Sequence, residues 1–169
     1  HTVEKGDSLY EIAKKHHTTV ELIKKSNSLS SDTIRPGMEL KISNAVFSIA
    51  VDVSENRLTL LQDQGPLKTY SVATGRVGHE TPLGTFKIVN KLVDPVLYKT
   101  GAVVPTGSPE NILGSRWLGF SLEGYGIHGT TLPGTIGTHA SEGCIRMHNR
   151  DVEEIYAIVP IPTSVTVLD

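Results

Sequence analysis

The sequence predicts a mostly β domain, a sandwich or partial barrel with one main helix, preceded by a small α+β module. Residues 1–43 carry a strand–helix–helix–strand pattern, whereas the chain from residue 45 onward changes to short alternating strands. The second part shows no regular alternation of strands and helices, which argues against a Rossmann-like sheet. We therefore expect two domains, one at 1–43 and one at 44–169.

The pattern of the N-terminal module is complete within about forty residues. A short extended start is followed by a capping box, in which Ser8 caps the helix and Glu11 reaches back. A second box at 18–21 opens the second helix, which Asn27 ends. Residues 38–42 alternate apolar and polar side chains, so we expect a returning strand.

In the larger domain, apolar and polar residues alternate in several short segments separated by turn residues. These predicted strands are 47–53, 58–61, 67–73, 85–89 and 164–168. Only the segment from Asp151 to Val159 has a helical period, and Pro160 ends it. Many short strands with a single helix favour a sandwich or partial barrel.

Between Asn90 and Arg116 the periodicity fades, and glycine and proline recur. A loop of this length is uncommon in a compact domain unless it has a function. It is therefore either a lid over a substrate cleft or an ordered surface excursion.

Composition and charge exclude several classes of protein. Sixteen basic residues against 18 acidic ones give a net charge of −2, which argues against a protein that binds nucleic acid through bulk charge. No apolar run approaches the roughly 18 residues of a transmembrane helix. The single cysteine excludes an internal disulfide. The chain begins at His1 with no signal segment, so we expect either a mature form or an expressed piece of the protein, from which a signal could have been lost upstream. We also expect a monomer.

The stretch 125–149 contains the only cysteine, Cys144, and three of the seven histidines. A lone thiol among histidines and glycines is a candidate nucleophile. His128 lies 16 residues before Cys144 at the end of an extended run, so it is the candidate base. The carbonyl of Gly129 could accept the Nδ1 proton of His128 and leave Nε2 facing the sulfur.

The residues around Cys144 suggest how it would stabilise an oxyanion. Ser141 and Gly143 predict a tight turn that exposes backbone N–H groups beside the thiol. Arg146 lies on the same side as Cys144 if the segment is extended. It could then bind a substrate carboxylate or support the oxyanion.

Two alternatives compete with this hypothesis. A lone cysteine can be a buried, inert hydrophobic residue, although a turn with glycine is a poor place to hide one. His139 and His148 could be bases, or zinc ligands together with Cys144, but no second cysteine and no H-x-x-x-H pattern supports a zinc site. We therefore expect no metal and no cofactor, with Glu142 a solvated turn residue.

Along its whole length the N-terminal module resembles a LysM module. The resemblance rests on Val3-x-x-Gly-Asp-Ser-Leu-x-x-Ile-Ala13, Leu22-x-x-x-x-Asn27 and Ile34-Arg-Pro-Gly-Met-x-Leu-x-Ile42. It implies binding to glycans that contain N-acetylglucosamine, in a shallow groove between two loops. The residues implied in this groove are Gly6, Asp7, Ser8, Leu9, Asn27, Leu29 and Ile34. Taken singly, the glycines and Asp7 are explained as turn residues.

The larger domain closely resembles the L,D-transpeptidase catalytic domain of the YkuD type. The match rests on His128-Gly129, Ser141-x-Gly-Cys-Ile-Arg146 and His148-Asn149, with Thr81-Pro-Leu-Gly-Thr-Phe86 upstream. The resemblance implies Cys144 as nucleophile, His128 as base oriented by Gly129, and an oxyanion hole from the N–H groups of Gly143 and Cys144. Many members have histidine where this chain has Glu142. The side chains expected to contact substrate are those of Trp117, Tyr125, His139, His148 and Asn149.

The resemblance implies a two-step exchange in the bacterial cell wall. Cys144 would attack the carbonyl before the terminal D-Ala of a tetrapeptide stem, and a diamino-acid amine would resolve the thioester into a 3→3 cross-link. The LysM-like module would raise the local concentration of peptidoglycan. The similarity to members from spore-forming bacteria extends the expected location to the spore. The alternatives are an L,D-carboxypeptidase, a non-catalytic wall-binding protein and a zinc-dependent wall amidase.

Overall fold

The computed structural model describes residues 1–169. The N-terminal module contains helices α1 (Leu9–Lys15) and α2 (Val20–Ser26). The hydroxyl of Ser8 accepts a hydrogen bond from the Glu11 N–H at 3.2 Å, as the capping box predicts. Thr19, rather than Thr18, caps α2 through the N–H of Leu22 at 3.1 Å. Six residues form the buried core of this module: Val3, Leu9, Ile12, Ala13, Ile23 and Leu40.

The two strands predicted in this module are shorter than expected. They are reduced to one antiparallel bridge between Thr2 and Glu39, with the Val3 N–H donating to the Met38 carbonyl at 2.8 Å. The prediction of a strand over 38–42 was therefore too long. The two segments pair only with each other, and no third strand extends the ladder.

The larger domain is built on twelve short strands. They are β1 (Phe47–Asp52), β2 (Arg57–Gln62), β3 (Gly65–Ser71), β4 (Thr74–Gly75), β5 (Gly84–Val93), β6 (Leu97–Lys99), β7 (Ala102–Val104), β8 (Arg116–Phe120), β9 (Gly126–His128), β10 (His139–Ser141), β11 (Ile145–Arg146) and β12 (Thr163–Leu168). Eight of them form one sheet in the order β11-β9-β8-β5-β12-β1-β2-β3. The β10–β4 and β6–β7 pairs form two small separate sheets.

One helix, α3 (Asn149–Ile158), contributes to the core of the larger domain. Its residues Val152 and Ile155 are fully buried in a cluster of 17 residues. Each buried aliphatic side chain of this size contributes about 1.5–3 kcal/mol. The helix begins two residues before the predicted Asp151, and its N-cap, His148, makes no side-chain capping bond.

The stretch between Asn90 and Arg116 contains more regular structure than the sequence predicts. Strand β5 continues to Val93, β6 and β7 form a hairpin, and β8 begins at Arg116. The expectation of an irregular loop is therefore wrong for 90–93, 97–99 and 102–104, whereas 105–115 contains neither helix nor strand. The motion of a lid remains a prediction.

The N-terminal module contacts the larger domain through α2 and α3. The hydroxyl of Thr19, at the start of α2, donates to the carbonyl of Ala157 in α3 at 2.6 Å. None of the helices combines the length and apolarity needed to cross a bilayer.

Candidate active site

Strands β9 and β11 bring the chemically important residues to one face of the sheet. They pair in parallel, with Ile127 opposite Ile145 and His128 opposite Arg146. Both isoleucines are fully buried in the core. Because side chains alternate along a strand, His128 and Arg146 point away from that core. Together with Cys144, they line a cavity of about 530 Å³.

His128 is buried and its tautomer is set by the next residue. Only 2% of the side chain is exposed, and Nδ1 lies 2.6 Å from the carbonyl oxygen of Gly129. Because a carbonyl only accepts, Nδ1 carries the proton and Nε2 has a free lone pair. Burial lowers the pKa of His128 to about 4, although the carbonyls of Gly129 and Leu113 act in the opposite direction. The imidazole is therefore neutral at pH 7.

The Cys144 thiol is half-buried, and its S–H points at the carbonyl of Gly124, 3.5 Å from the sulfur. Burial raises the pKa of Cys144, against the opposing effects of the Gly126 N–H and the charge of Arg146. With a raised thiol pKa and a lowered imidazole pKa, the resting pair consists of a neutral thiol and a neutral imidazole.

The turn before Cys144 is held by Ser141. Its hydroxyl accepts from the Gly143 N–H at 3.1 Å and donates to the Cys144 carbonyl at 2.5 Å. Gly143 has a φ of +111°, and a Cβ there would lie 2.8 Å from Cε1 of Tyr125. The Gly143 N–H, expected in the oxyanion hole, is thus engaged within the turn. The N–H groups of Glu142 and Cys144 have no partner in the protein.

Arg146 is a buried cation, with 5% of its surface exposed. Its backbone exchanges two hydrogen bonds with Ala73, at 2.8 and 2.9 Å. Its guanidinium makes one, from Nη1 to the Thr135 hydroxyl at 3.1 Å, and Nε is buried without a partner. Burial lowers the pKa of Arg146, but the group remains charged.

Asn149 holds the segment that follows His128. Its Oδ1 accepts hydrogen bonds from the Thr130 N–H at 2.9 Å and the Ser115 N–H at 3.3 Å. A Cβ on Gly129 would lie 2.1 Å from this oxygen, so only glycine fits there. Asn149 therefore positions the Gly129 carbonyl and does not line the cavity.

Trp117 forms a wall of the cavity next to the imidazole. It pairs with His128 across β8 and β9, and the two rings stack with centroids 6.0 Å apart at 20°. Its Nε1 donates to Oδ1 of Asn90 at 3.1 Å. The other apolar side of the cavity comes from the segment 92–113, including Leu97 and Tyr98.

Comparison with known proteins agrees with this geometry. Residues 47–167 match the family model of the L,D-transpeptidase catalytic domain, and residues 1–43 match that of the LysM domain. The chain belongs to the YkuD family of L,D-transpeptidases. Both family resemblances of the sequence are thereby confirmed.

Two Bacillus proteins illustrate how far the similarity to YkuD-family relatives extends. YkuD of Bacillus subtilis, whose name assigns it to the L,D-transpeptidases, is 34% identical over 171 residues. Its Bacillus licheniformis counterpart is 36% identical over 172 residues. Each alignment covers 98% of this chain and 96% of the relative.

Solved structures show the same YkuD-family fold. An L,D-transpeptidase from Mycobacterium smegmatis aligns with a TM-score of 0.64 at 20% identity, covering 77% of this chain and 65% of that one. The catalytic domain of the E. faecium enzyme aligns with a TM-score of 0.59 at 23% identity, covering 72% and 96%. The predicted mostly β fold is confirmed, in the form of a curled sheet.

Besides Asn149, three other residues expected at the substrate do not line the cavity of this YkuD-family domain. His139 contacts the Thr74 hydroxyl at 2.9 Å and Asn56 at 3.4 Å. His148 lines a separate polar groove with Lys68 and Glu154, among others. Tyr125 packs against the core beside Gly143. His139 and His148 therefore face other parts of the domain, whereas Tyr125 lies against the cysteine turn without lining the cavity, and a substrate contact by any of them stays a prediction.

Glu142 stands where many YkuD-family members have a histidine. It is exposed, as predicted, but its carboxylate contacts two other side chains. Its carboxylate accepts from Arg76 at 2.8 Å and lies 2.8 Å from Nδ1 of His79. The hydrogen bond from Arg76 lowers the pKa of Glu142. Arg76 also donates its backbone N–H to the Ser141 carbonyl at 3.0 Å, so this loop is fixed to the cysteine turn. Sequence analysis missed both Arg76 and His79.

In the LysM module, most of the expected glycan-binding side chains have structural partners. Asp7 accepts from the Glu4 N–H at 2.9 Å, and Ser8 caps α1. Asn27 bonds both the N–H and the carbonyl of Lys41, at 2.7 and 2.8 Å. Leu9 is buried, whereas Leu29 and Ile34 pack half-buried against the core. Gly6, with a φ of +98°, forms a turn.

Histidine, cysteine and acidic side chains do not cluster in threes anywhere in a way that could hold a metal ion. His139 and His148, the histidines considered as zinc ligands with Cys144, bond to or line other parts of the domain.

Proposed function

We propose that this protein is a peptidoglycan L,D-transpeptidase in which Cys144 carries the acyl group and His128 moves the proton. The observation that supports this most directly is the neutral imidazole, unprotonated at Nε2, in the same cavity as the thiol. Family membership supports the reaction class.

In the first half-reaction, Nε2 of His128 takes the thiol proton as the sulfur attacks the stem carbonyl. The C–S bond forms, and the C–N bond to the terminal D-Ala breaks. His128 then returns the proton to the leaving amine, and a thioester remains on Cys144. The Gly129 carbonyl stabilises the imidazolium that exists between these transfers.

The oxyanion of each tetrahedral intermediate needs donors beside the sulfur. We assign the Cys144 N–H to this role, with the Glu142 N–H as the second candidate, because neither has a partner in the protein. Ser141 contributes by fixing the turn, and Gly143 by allowing it.

In the second half-reaction, the side-chain amine of another stem attacks the thioester. The new C–N bond forms, the C–S bond breaks, and the amine proton passes through His128 to the departing thiolate. The product is a 3→3 cross-link. Attack by water instead would give an L,D-carboxypeptidase.

Product analysis separates these functions. The purified protein is incubated with a disaccharide-tetrapeptide, and the products are resolved by liquid chromatography and mass spectrometry. A dimer that has lost one D-Ala supports the transpeptidase, whereas the disaccharide-tripeptide alone supports the carboxypeptidase. No turnover would leave a wall-binding protein, and activity lost only with a chelator would indicate the zinc amidase. Cys144→Ala is the matched control.

We further propose that 1–43 and 44–169 are separate domains, because each has its own buried cluster. The LysM and transpeptidase matches indicate a cell-wall protein, with peptidoglycan as its substrate and glycan ligand. Spore association stays a prediction. The protein is proposed to act as a monomer, which light scattering at working concentration tests.

The glycan groove is proposed to lie between the loops at 6–9 and 27–34. Because Asp7, Ser8 and Asn27 have internal partners, binding would use backbone groups and the exposed faces of Leu29 and Ile34. Cosedimentation with insoluble peptidoglycan tests this. Leu29→Glu should reduce the bound fraction, while Cys144→Ala should leave it unchanged.

A further inference from the structure

The charge of Arg146 is unexplained by the protein itself. Arg146 as a residue is 95% buried, and its guanidinium takes part in none of the ion pairs of the chain. One of its five N–H groups bonds to Thr135, and Nε has no partner. The Glu142 carboxylate acts on the charge of Arg146 without contacting it and is itself bonded to Arg76. Burying a cation without an anion in contact is strongly unfavourable. A site of this kind is suited to an anion that arrives with the substrate.

We propose that Arg146 binds the free terminal carboxylate of the stem peptide and thereby selects a scissile bond one residue from the chain end. This inference rests on the proposed function, since it concerns the substrate of the same cavity. Arg146 would then be a specificity-determining residue that touches the substrate.

The spacing of Cys144 and Arg146 fits a leaving group of one amino acid. Two residues along an extended strand span about 6.6 Å. One residue of an extended peptide spans about 3.5 Å, and the long arginine side chain covers the difference. With the scissile carbonyl at the sulfur, the carboxylate of a single leaving residue would lie within reach of the guanidinium.

The direction of the guanidinium favours a carboxylate over the oxyanion. Nη1 is held by Thr135, which belongs to the segment 133–135 and not to the turn that presents the Cys144 N–H. The unbonded backbone N–H of Cys144 belongs to the same residue as the sulfur and is the donor assigned to the oxyanion. The remaining N–H groups of Arg146 are therefore available for a planar, two-oxygen acceptor, which a guanidinium matches well.

The test compares a tetrapeptide stem with the same stem whose terminal carboxylate is converted to a carboxamide. The readout is kcat/KM for acylation, followed by intact-protein mass spectrometry. For the wild type we expect the carboxamide to react about 100-fold more slowly, because it leaves a buried cation unpaired. In Arg146→Gln the ratio of acid to amide should fall close to one. In Arg146→Lys, part of the preference should remain.

Two further arms locate the carboxylate. A stem amidated only on the side-chain carboxyl of its diamino acid should react like the parent stem. The wild type could instead react more slowly with this stem than with the parent stem, and Arg146→Gln could react equally with both. That result would overturn the assignment to the terminal carboxylate. Arg76→Gln removes a charge at the exposed rim and should keep the preference for the terminal acid. Loss of the preference in Arg76→Gln but not in Arg146→Gln would also overturn it.

The acid-to-amide ratio separates this inference from the proposed function. Equal acylation of acid and amide by the wild type would refute the role of Arg146 and leave the transpeptidase intact. No acylation of either stem, with Cys144 still open to alkylation by iodoacetamide, would refute both. A merely structural Arg146 would lower both rates together and keep their ratio.

Discussion

Nδ1 of His128 lies 2.6 Å from the carbonyl oxygen of Gly129, the residue that follows it in the chain. This contact fixes the imidazole as the Nδ1–H tautomer in a buried position, so the backbone takes the place that a carboxylate has in a serine-protease triad. A carbonyl carries no full charge. It therefore orients the ring without raising its pKa above the ordinary value, and burial keeps His128 neutral.

The neutral His128 makes stability depend on pH. Its folded pKa of about 4 lies below the ordinary histidine value of 6.5, so between these values the unfolded state binds one more proton. Stability is then lost as pH falls through this window, by about 3 kcal/mol between pH 7 and pH 4. Urea unfolding measures the free energy of unfolding of the wild type and of His128→Gln. The wild-type value minus the His128→Gln value should fall by this amount between pH 7 and pH 4. A difference independent of pH would contradict it.

The thiol of Cys144 should be slow to alkylate near neutral pH. Because burial raises its pKa, the rate of reaction with iodoacetamide should rise with a midpoint above that of free cysteine, about 8.5. Arg146→Gln should move the midpoint further up, since the charge of Arg146 lowers this pKa. Arg76→Gln, the matched charge removal, should not move it. A wild-type midpoint below that of free cysteine would indicate a preformed thiolate–imidazolium pair.

Asn149 should affect catalysis through the position of Gly129. Asn149→Ala leaves the Thr130 and Ser115 N–H groups without their acceptor, so we expect a loss of about 1–2 kcal/mol in stability. Displacement of the Gly129 carbonyl should lower the acylation kcat by about 10- to 100-fold. Asn149→Asp keeps the accepting oxygen and should retain most of both properties. Equal losses in the two variants would contradict the positioning role.

Gly143 should tolerate no side chain. Gly143→Ala combines a positive φ with a Cβ 2.8 Å from Tyr125, whereas Gly78→Ala has a positive φ and open space. Both should lose about 1–2 kcal/mol for the left-handed backbone. Gly143→Ala should lose more, and its acylation rate should fall because the Cys144 N–H moves. Equal melting temperatures of the two variants would show that Tyr125 yields without strain.

The longer strands were predictable from the sequence because each has one buried face. In β1, for example, Ile49 and Val51 are buried between less buried neighbours, and the predicted segment differs from the strand by one residue. Strands β4 and β11 have two residues each, too few for any periodicity. The β6–β7 hairpin was missed because glycine and proline surround it.

Within the site, local sequence identified Cys144, His128, Gly129 and Arg146, which the fold brings to one cavity or to its edge. Their chemistry is readable from neighbours in the chain. Contacts between distant segments were not predictable in this way. Glu142 meets Arg76 and His79 across more than sixty residues of sequence, and His139 is bonded to Thr74. The same holds in the LysM module, where the resemblance placed Asn27 in the glycan groove. Its hydrogen bond from the Lys41 N–H gives this asparagine a structural role instead.

The central claim is that Cys144 carries the acyl group and that His128 moves its proton. Intact-protein mass spectrometry after mixing with a disaccharide-tetrapeptide tests it most directly. We expect an adduct of the stem minus D-Ala on the wild type, none on Cys144→Ala, and a slowly formed one on His128→Ala. An adduct of the same mass on Cys144→Ala, or equal rates for the wild type and His128→Ala, would contradict the account.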